Sequence, residues 1–399
     1  MYPRRLVAVA AAVLLQAGDG AFAFIARSCV AAPPGQLALK RVLLIRSPVP
    51  TMSGGDQHAE VIVVGSCNTD LMTYTSRLPS RGETITGSRF ETHNGGKGAN
   101  QAVMARRMGV GVAMVACLGD DSYGTDYVKS LCDDGIDCGS VRRDAGAATG
   151  VAQICVEEAD GSEGGGGGGN FIVIVPGANY LLSPEDVAAA TNRLKDAKII
   201  MCQSEVRPEA TLAALERGRA AGMMTIFNPA PAQADLPDRY LELSDILCPN
   251  ETELALLCKG DIDPEDHESV IAGARELLAR GATNVVVTLG SNGCMLVSSA
   301  SGGCQRFPAD KVNATDTVGA GDAFLGSLGA YLARGMALED AIGKAVRYEK
   351  RSAPCCRGRR HSLDARHAVV HRHHVLVSRR QTGAFVVRLQ LGREMRVVI

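Results

Sequence analysis

Two glycine-rich segments of this chain place charged side chains where a phosphate and a hydroxyl could meet. The run Asp316-Thr317-Val318-Gly319-Ala320-Gly321-Asp322 precedes an apolar stretch, residues 323–332, that reads as a helix. Small residues let a backbone approach a ligand closely. A turn that opens a helix points unpaired N–H groups outward, and the helix dipole adds positive potential there. Gly319, Ala320, Gly321 and Asp322 could therefore hold a phosphate or a growing phosphoryl charge, with Asp322 able to take a proton from a hydroxyl. Taken alone, an acidic first-turn charge accounts for Asp322 equally well.

The second segment is Asn94-Gly95-Gly96-Lys97-Gly98-Ala99-Asn100. It lacks the Gly-Lys-Ser/Thr of a phosphate-binding P-loop and the spacing of a dinucleotide fingerprint. Its glycines allow close approach, and Asn100 offers both donor and acceptor, the mixture that polyol recognition requires. A tight turn before a helix is the plainer alternative. Further on, Asn250-Glu251-Thr252-Glu253 follows an apolar run at 246–248. Carboxylates at such a strand end can order a hydrated Mg²⁺, although helix capping explains the same residues and is locally the better account. Thr288-Leu289-Gly290-Ser291-Asn292-Gly293 closes another strand with glycines that admit a nucleotide.

The elements that must position these groups read as an α/β chain. A buried strand at 60–65 leads directly to Asn68-Thr69-Asp70, at the strand edge where open parallel sheets bind ligands. Short alternating strands are predicted at 71–91, with a turn at 79–82. A helix follows at 99–108, then a strand at 112–117, a helix at 123–133 and a strand at 150–156. Six glycines at 164–169 read as a hairpin tip between strands 151–156 and 171–175. These segments would form a small separate sheet, a lid over the site. From 185 onward helices and strands alternate to about residue 346, which predicts a parallel sheet with helices on both faces.

Composition narrows the classes. Hydrophobic residues are 46%, charged residues 21% and the net charge −1, so neither a nucleic-acid-binding nor a membrane-spanning protein is indicated. The 13 cysteines form no CxxC pair, and Cys67, Cys117, Cys155, Cys202 and Cys294 sit singly in apolar runs. That pattern fits free buried thiols in a reducing compartment. Residues 351–399 differ, with 11 Arg, no Lys, one Asp and one Glu. The histidines at 371, 373 and 374 lack acidic or cysteine neighbours at ligand spacing.

In content and order these motifs resemble the PfkB-type carbohydrate kinases. DTVGAGD is similar to that family's C-terminal signature and GGKGAN to its N-terminal one. GSCNTD (65–70), RGETITG (81–87), FNPAPA (227–232) and PNETE (249–253) match as well. The resemblance covers about 60–346 and implies a three-layer α/β/α fold, with a central mostly parallel sheet and a small β-sheet lid. It implies ATP-dependent phosphorylation of the 5-hydroxyl of D-ribose, leaving open other sugars or nucleosides of the same family. Asn68, Asp70, Gly96, Lys97, Asn100 and Glu205 match sugar-binding positions. Asn250, Thr288, Leu289, Gly290, Ser291, Asn292, Gly293 and Gly321 match ATP-binding positions, and Glu253 the carboxylate associated with Mg²⁺. Gly319 to Asp322 match the anion hole, Asp322 the catalytic base, and Asp316 and Val318 ligands of an activating K⁺. The lid segments at 71–91 and 151–175 match the family's homodimer contact.

Two regions fall outside the resemblance. Residues 1–59 begin with a basic, then apolar, targeting-like stretch, and Met52 offers an alternative start. Cytoplasmic or nuclear location is expected, with targeting or secretion the minority reading. Residues 347–399 lack the small-residue helix and glycine loop that line the family's adenine pocket and complete its cation site. A divergent or misread basic tail is expected there, and with it either an impaired nucleotide site or a frameshifted end.

Overall fold

The computed structural model describes residues 58–158, 170–258, 262–263, 265–300, 302–309 and 319–352, together with the backbone of five short strands outside them. Two of these, β1 (Ala12–Gln16) and β2 (Phe22–Ala26), pair antiparallel. The core begins at β3 (Val61–Val64), four consecutive buried β-branched residues. Ile62 and Val64 pack into one hydrophobic cluster and Val61 and Val63 into another, on the opposite face. A strand buried on both faces must read as an unbroken apolar run.

From β3 the chain leaves the core for β4 (Asn68–Thr75) and returns along β5 (Arg89–Gly95), which pairs antiparallel with it. Helix α1 (Lys97–Arg107), β6 (Val112–Gly119), α2 (Ser122–Asp133) and β7 (Asp137–Asp144) follow, then β8 (Gly150–Glu157) and β9 (Asn170–Val175). The remainder alternates: α3 (Pro184–Arg193), β10 (Ile199–Gln203), α4 (Pro208–Ala220), β11 (Met224–Asn228), α5 (Asp238–Glu242), β12 (Ile246–Leu247), α6 (Glu251–Leu257), α7 (His267–Ala279) and β13 (Asn284–Thr288). The hairpin β14 (Cys294–Ser298) and β15 (Cys304–Phe307) precedes α8 (Ala320–Ala333) and α9 (Leu338–Ser352).

Nine strands make the main sheet, in the order β15-β14-β13-β12-β11-β10-β3-β6-β7. All neighbours from β7 to β13 run parallel, and the terminal β14 and β15 run antiparallel. Helices α3, α4, α6 and α7 supply one core cluster, and α1, α2, α8 and α9 the other. This is the expected three-layer α/β/α arrangement. The second sheet, β5-β4-β8-β9, is the small lid.

Several elements differ from the sequence expectation. Strand β7 (DCGSVRRD) was not predicted, because its half-buried, polar residues show no apolar alternation. The one-turn α5 was equally invisible. Helix α1 starts at Lys97 rather than 99, since Gly96 at φ 90° supplies the turn and β5 takes up Asn94 and Gly95. Within 71–91 only two strands form, and most of the segment between them is irregular. The sequence pattern predicts no regular element beyond 347, yet α9 continues to Ser352. Strands β16 (Leu376–Arg379), β17 (Phe385–Leu391) and β18 (Arg393–Val398) pair antiparallel. The six-glycine run lies outside the described residues. No helix among the described residues is long and apolar enough to cross a membrane.

Candidate active site

The C-terminal ends of β11, β12 and β13 and the starts of α1, α6 and α8 converge on one cavity of about 160 Å³. Lys97, Asn228, Ala230, Cys248, Asn250, Glu253, Thr288, Gly319, Ala320, Gly321, Asp322 and Leu325 line it. Parallel sheets with helices on both faces leave such a crevice at the carboxyl ends of their strands.

Helix α8 begins without a side-chain cap, on Gly319 in the left-handed region at φ 79°. Its first intrahelical bond comes only at the Ala323 N–H, which donates to Gly319 O. The amides of Ala320, Gly321 and Asp322 precede that bond at the cavity wall, a cradle for an anion. A Cβ built on Gly321 meets no atom of the described residues within 4 Å, so none of them requires glycine there. Asp322 is only 7% exposed. Its Oδ2 accepts from Asn100 Nδ2 at 3.1 Å and its Oδ1 from Gln101 Nε2 at 3.0 Å. A carboxylate held by two donors beside the first-turn amides of a helix can accept a proton from a hydroxyl while the amides face a phosphoryl oxygen.

The glycine-rich loop before α1 is built from the other side. A Cβ on Gly98 would lie 2.7 Å from Ser66 N and 2.8 Å from Gly65 Cα, and one on Gly96 2.8 Å from Asn68 N. The loop thus packs backbone to backbone on the turn between β3 and β4. Glu205, beyond β10, ties the two together: its Oε2 accepts from Ser66 Oγ at 2.5 Å and from the Lys97 N–H at 2.9 Å. Burial alone would lower the Lys97 ammonium, but the carboxylates of Asp322, Glu205 and Glu253 outweigh it and raise it above its ordinary value. Lys97 therefore carries its charge at neutral pH.

Asn68 and Asp70 stand on β4 of the lid, opposite Gly95 and His93 of β5. The Asp70 carboxylate lies against Gly95, where a Cβ would come within 2.2 Å of it. Asn68 Oδ1 accepts from Asn179 Nδ2 at 2.8 Å. Lys97 lines the cavity itself; Asn100 reaches it through Asp322 and Glu205 through the Lys97 N–H, and Gly96 directly precedes Lys97, whereas the contacts of Asn68 and Asp70 are to Asn179 and Gly95, outside the lining. On the far wall, Asn250 and Glu253 cap α6 reciprocally. Asn250 N–H donates to Glu253 Oε2 at 2.9 Å, and Glu253 N–H donates to Asn250 Oδ1 at 2.7 Å. The capping account of these residues holds, yet both also face the cavity. Burial pushes the Glu253 carboxyl above its ordinary value, against the pull of the Asn250 N–H and Lys97. From 288–293 only Thr288 lines the cavity. Leu289 is buried, and Gly290–Asn292 form an exposed single turn at its rim. Asp316 and Val318 lie outside the described residues.

Five polar residues of this region carried no functional expectation. Gln101, Gln203 and Asn228 form a buried chain behind Asp322. Asn179 braces the turn after β3 through Cys67 N–H and Cys67 O, and Tyr127 of α2 donates its hydroxyl to Gly95 O. Gln203 and Asn228 end apolar strands, a signal that could have found them. Asn179 and Tyr127 had none. The thiols of Cys67, Cys117, Cys202 and Cys258 are buried and in no disulfide, and burial raises Cys67 and Cys202 far above the ordinary thiol range.

Fold and site define a phosphoryl-transferring α/β enzyme, with a carboxylate beside a helix-start anion cradle and a β lid carrying polar groups. The family model for pfkB family carbohydrate kinases matches residues 58–348. Ribokinase of Mus musculus is 44% identical over 70% of this chain and 83% of its own length. A deoxyribokinase of Salmonella typhi is 37% identical over 72% and 90%. The solved structure of Arabidopsis thaliana ribokinase, complexed with ribose and ATP, superposes with a TM-score of 0.66 at 28% identity, covering 74% of this chain and 93% of that one. The chain belongs to the pfkB family of carbohydrate kinases, and is an ATP-dependent sugar kinase.

Proposed function

We propose that this kinase transfers the γ-phosphoryl group of ATP to the 5-hydroxyl of D-ribose, with Asp322 as the catalytic base. The observation that carries it is the Asp322 carboxylate, buried and held by Asn100 and Gln101 beside the uncapped start of α8. Asn68, Asp70, Gly96, Lys97, Asn100 and Glu205 hold the sugar. They mix carboxylate acceptors with amide and ammonium donors, as several adjacent hydroxyls require. Asn250, Thr288 and the rim 289–293 hold the nucleotide, with Gly321 against its phosphates. Asp322 takes the hydroxyl proton, the freed oxygen attacks the γ-phosphorus in line, and ADP departs. The amides of residues 319–322 and the charged Lys97 offset the growing negative charge.

Mg²⁺ fits the site as a water-bridged ion. No group of three or more His, Cys, Asp or Glu suited to a metal exists among the described residues. Glu253 stands at the cavity wall, where burial pushes its carboxyl above the ordinary value. It would hold the ion's waters, and the ion would neutralise ATP phosphate charge. K⁺ activation, through Asp316 and Val318, belongs to the same proposal. So does a homodimer through the lid, supported by exposed Phe171, Ile172, Val173, Ile174 and Val175 on the edge strand β9 and Phe90 on the opposite edge. Cytoplasmic residence is supported by the buried free thiols.

ADP release measured with ribose, deoxyribose, fructose and adenosine, with and without K⁺, tests this reading. Ribose should give the highest kcat/KM, and Asp322→Asn should lower kcat roughly 10³-fold while ribose still binds. Preference for fructose or adenosine would overturn the sugar assignment, and undiminished turnover of Asp322→Asn the base.

A further inference from the structure

Behind Asp322 lies a chain of side-chain amides, of which Gln101 touches the carboxylate and Gln203 and Asn228 touch Gln101. Gln101 is 1% exposed, Gln203 0% and Asn228 7%. Gln101 Nε2 donates to Asp322 Oδ1 at 3.0 Å and to Asn228 Oδ1 at 3.4 Å, while its Oε1 accepts from Gln203 Nε2 at 2.6 Å. Asn228 Nδ2 in turn donates to Cys248 O at 2.9 Å. Each polar atom of the Gln101 side chain is thus committed.

The direction of this chain follows from chemistry. A carboxylate oxygen only accepts, so the Gln101 amide must turn its nitrogen to Asp322 and its oxygen to Gln203. Gln203 must then donate, which leaves Gln203 Oε1 buried with no partner among the described residues. That oxygen sits over Gly65, where a Cβ would come within 2.1 Å of it. An unpaired buried acceptor is costly. Among the described residues Gln203 Oε1 is one of four such buried side-chain atoms, and the one whose side chain, through Gln101, keeps a donor aimed at Asp322 Oδ1.

We infer that Gln101 is a positioning residue for phosphoryl transfer: it anchors Oδ1 of Asp322, so the sugar proton is taken at Oδ2. Oδ2 is the oxygen shared with Asn100, which is half-buried on the sugar side. This rests on Asp322 being the base. In the step, the O–H bond of the sugar hydroxyl breaks and its proton bonds to Oδ2. The oxygen's electron pair forms the new bond to the γ-phosphorus, and the bond to the bridging oxygen breaks, its pair leaving with ADP. Protonation turns the Asn100 amide away from Oδ2, and the Gln101 bond keeps the resulting acid in place.

Steady-state kinetics of three variants on the full chain test the assignment. Gln101→Met keeps the volume and removes the donor. It should lower kcat roughly 30-fold, with KM for ATP within about threefold of the parent. Gln101→Glu restores a donor only when its carboxyl is protonated, so its kcat should fall as pH rises from about 6 to 9 while that of the parent does not. Asp322→Asn is the reference. If Gln101→Met keeps kcat within about twofold while Asp322→Asn loses roughly 10³-fold, the base stands and the positioning role is overturned. Should Asp322→Asn itself turn over normally, the base reading fails and this inference with it. If Gln101→Met does not fold, the pH profile of Gln101→Glu decides, and a profile parallel to the parent's overturns the proposal.

Discussion

Helices α1 and α8 both start from glycine-rich turns at the same cavity, but their glycines answer to different partners. At α1, side chains on Gly96 or Gly98 would strike backbone of the β3–β4 turn at 2.7–2.8 Å. At α8, a side chain on Gly321 would strike no atom of the described residues within 4 Å. Glycine therefore serves packing in one place and meets no described neighbour in the other. The β3–β4 turn presses on α1; no described side chain or backbone presses on Gly321.

Substitutions can break that contrast. The largest effect belongs to Gly98→Ala, whose methyl must displace Ser66 N and Gly65. Overpacking of this kind costs about 3 kcal/mol, and urea unfolding should report it together with a raised KM for the sugar. An unchanged unfolding midpoint would show that the α1 loop yields, and the contrast would vanish. Next comes Gly321→Ala. Its thermal midpoint should hold or rise, since alanine favours a helix start over glycine by up to about 1 kcal/mol. Its kcat should fall roughly 30-fold as the methyl fills the anion cradle. Full activity in that variant would mean the open space at Gly321 is incidental.

The smallest effect sharpens the contrast with a third helix start. Helix α2 carries its own anion: Asp121 Oδ1 accepts from Gly124 N–H and Thr149 Oγ, and Oδ2 accepts from Thr149 N–H. Burial opposes its charge, but these donors prevail and hold its carboxyl below the ordinary value of 3.8. A depressed carboxyl stabilises the fold above the unfolded pKa, and that contribution disappears as pH falls through the folded one. Asp121→Ala should cost about 1–2 kcal/mol at pH 7. Its deficit should shrink as pH falls below 3.8 and through the lowered folded pKa, with kcat at neutral pH unaffected. A deficit independent of pH would mean the cap acts by packing rather than charge.

How much of this could be read from the residues depended on where each partner lies along the chain. Asp322, Lys97, Asn250, Glu253 and Thr288 meet at the cavity as expected, because each stands at a strand end or helix start that apolar runs make visible. Gln101 stands beside Asn100 in the loop's helix, yet its meaning comes from Asp322, 221 positions away, and Gln203, 102 away. Asn179 reaches Cys67 across 112 positions. No local pattern encodes such pairings. The fold class was legible because β3, β6, β10 and β13 carry runs of three or more consecutive apolar residues, in alternation with helices. Strand β7 was not, since an edge strand with half-buried arginines and aspartates lacks that mark. Glu253 shows two readings coexisting, as cap of α6 and as cavity wall.

The lid has one further consequence. Strand β4 leaves the core strand β3 through only Gly65, Ser66 and Cys67, and it carries Asn68 and Asp70. Lys97, Asn100, Glu205 and Asp322 all stay with the layered core. The residues proposed to hold the sugar are thus divided between the small sheet and the layered core, so a ligand held by all of them would span both layers of the molecule.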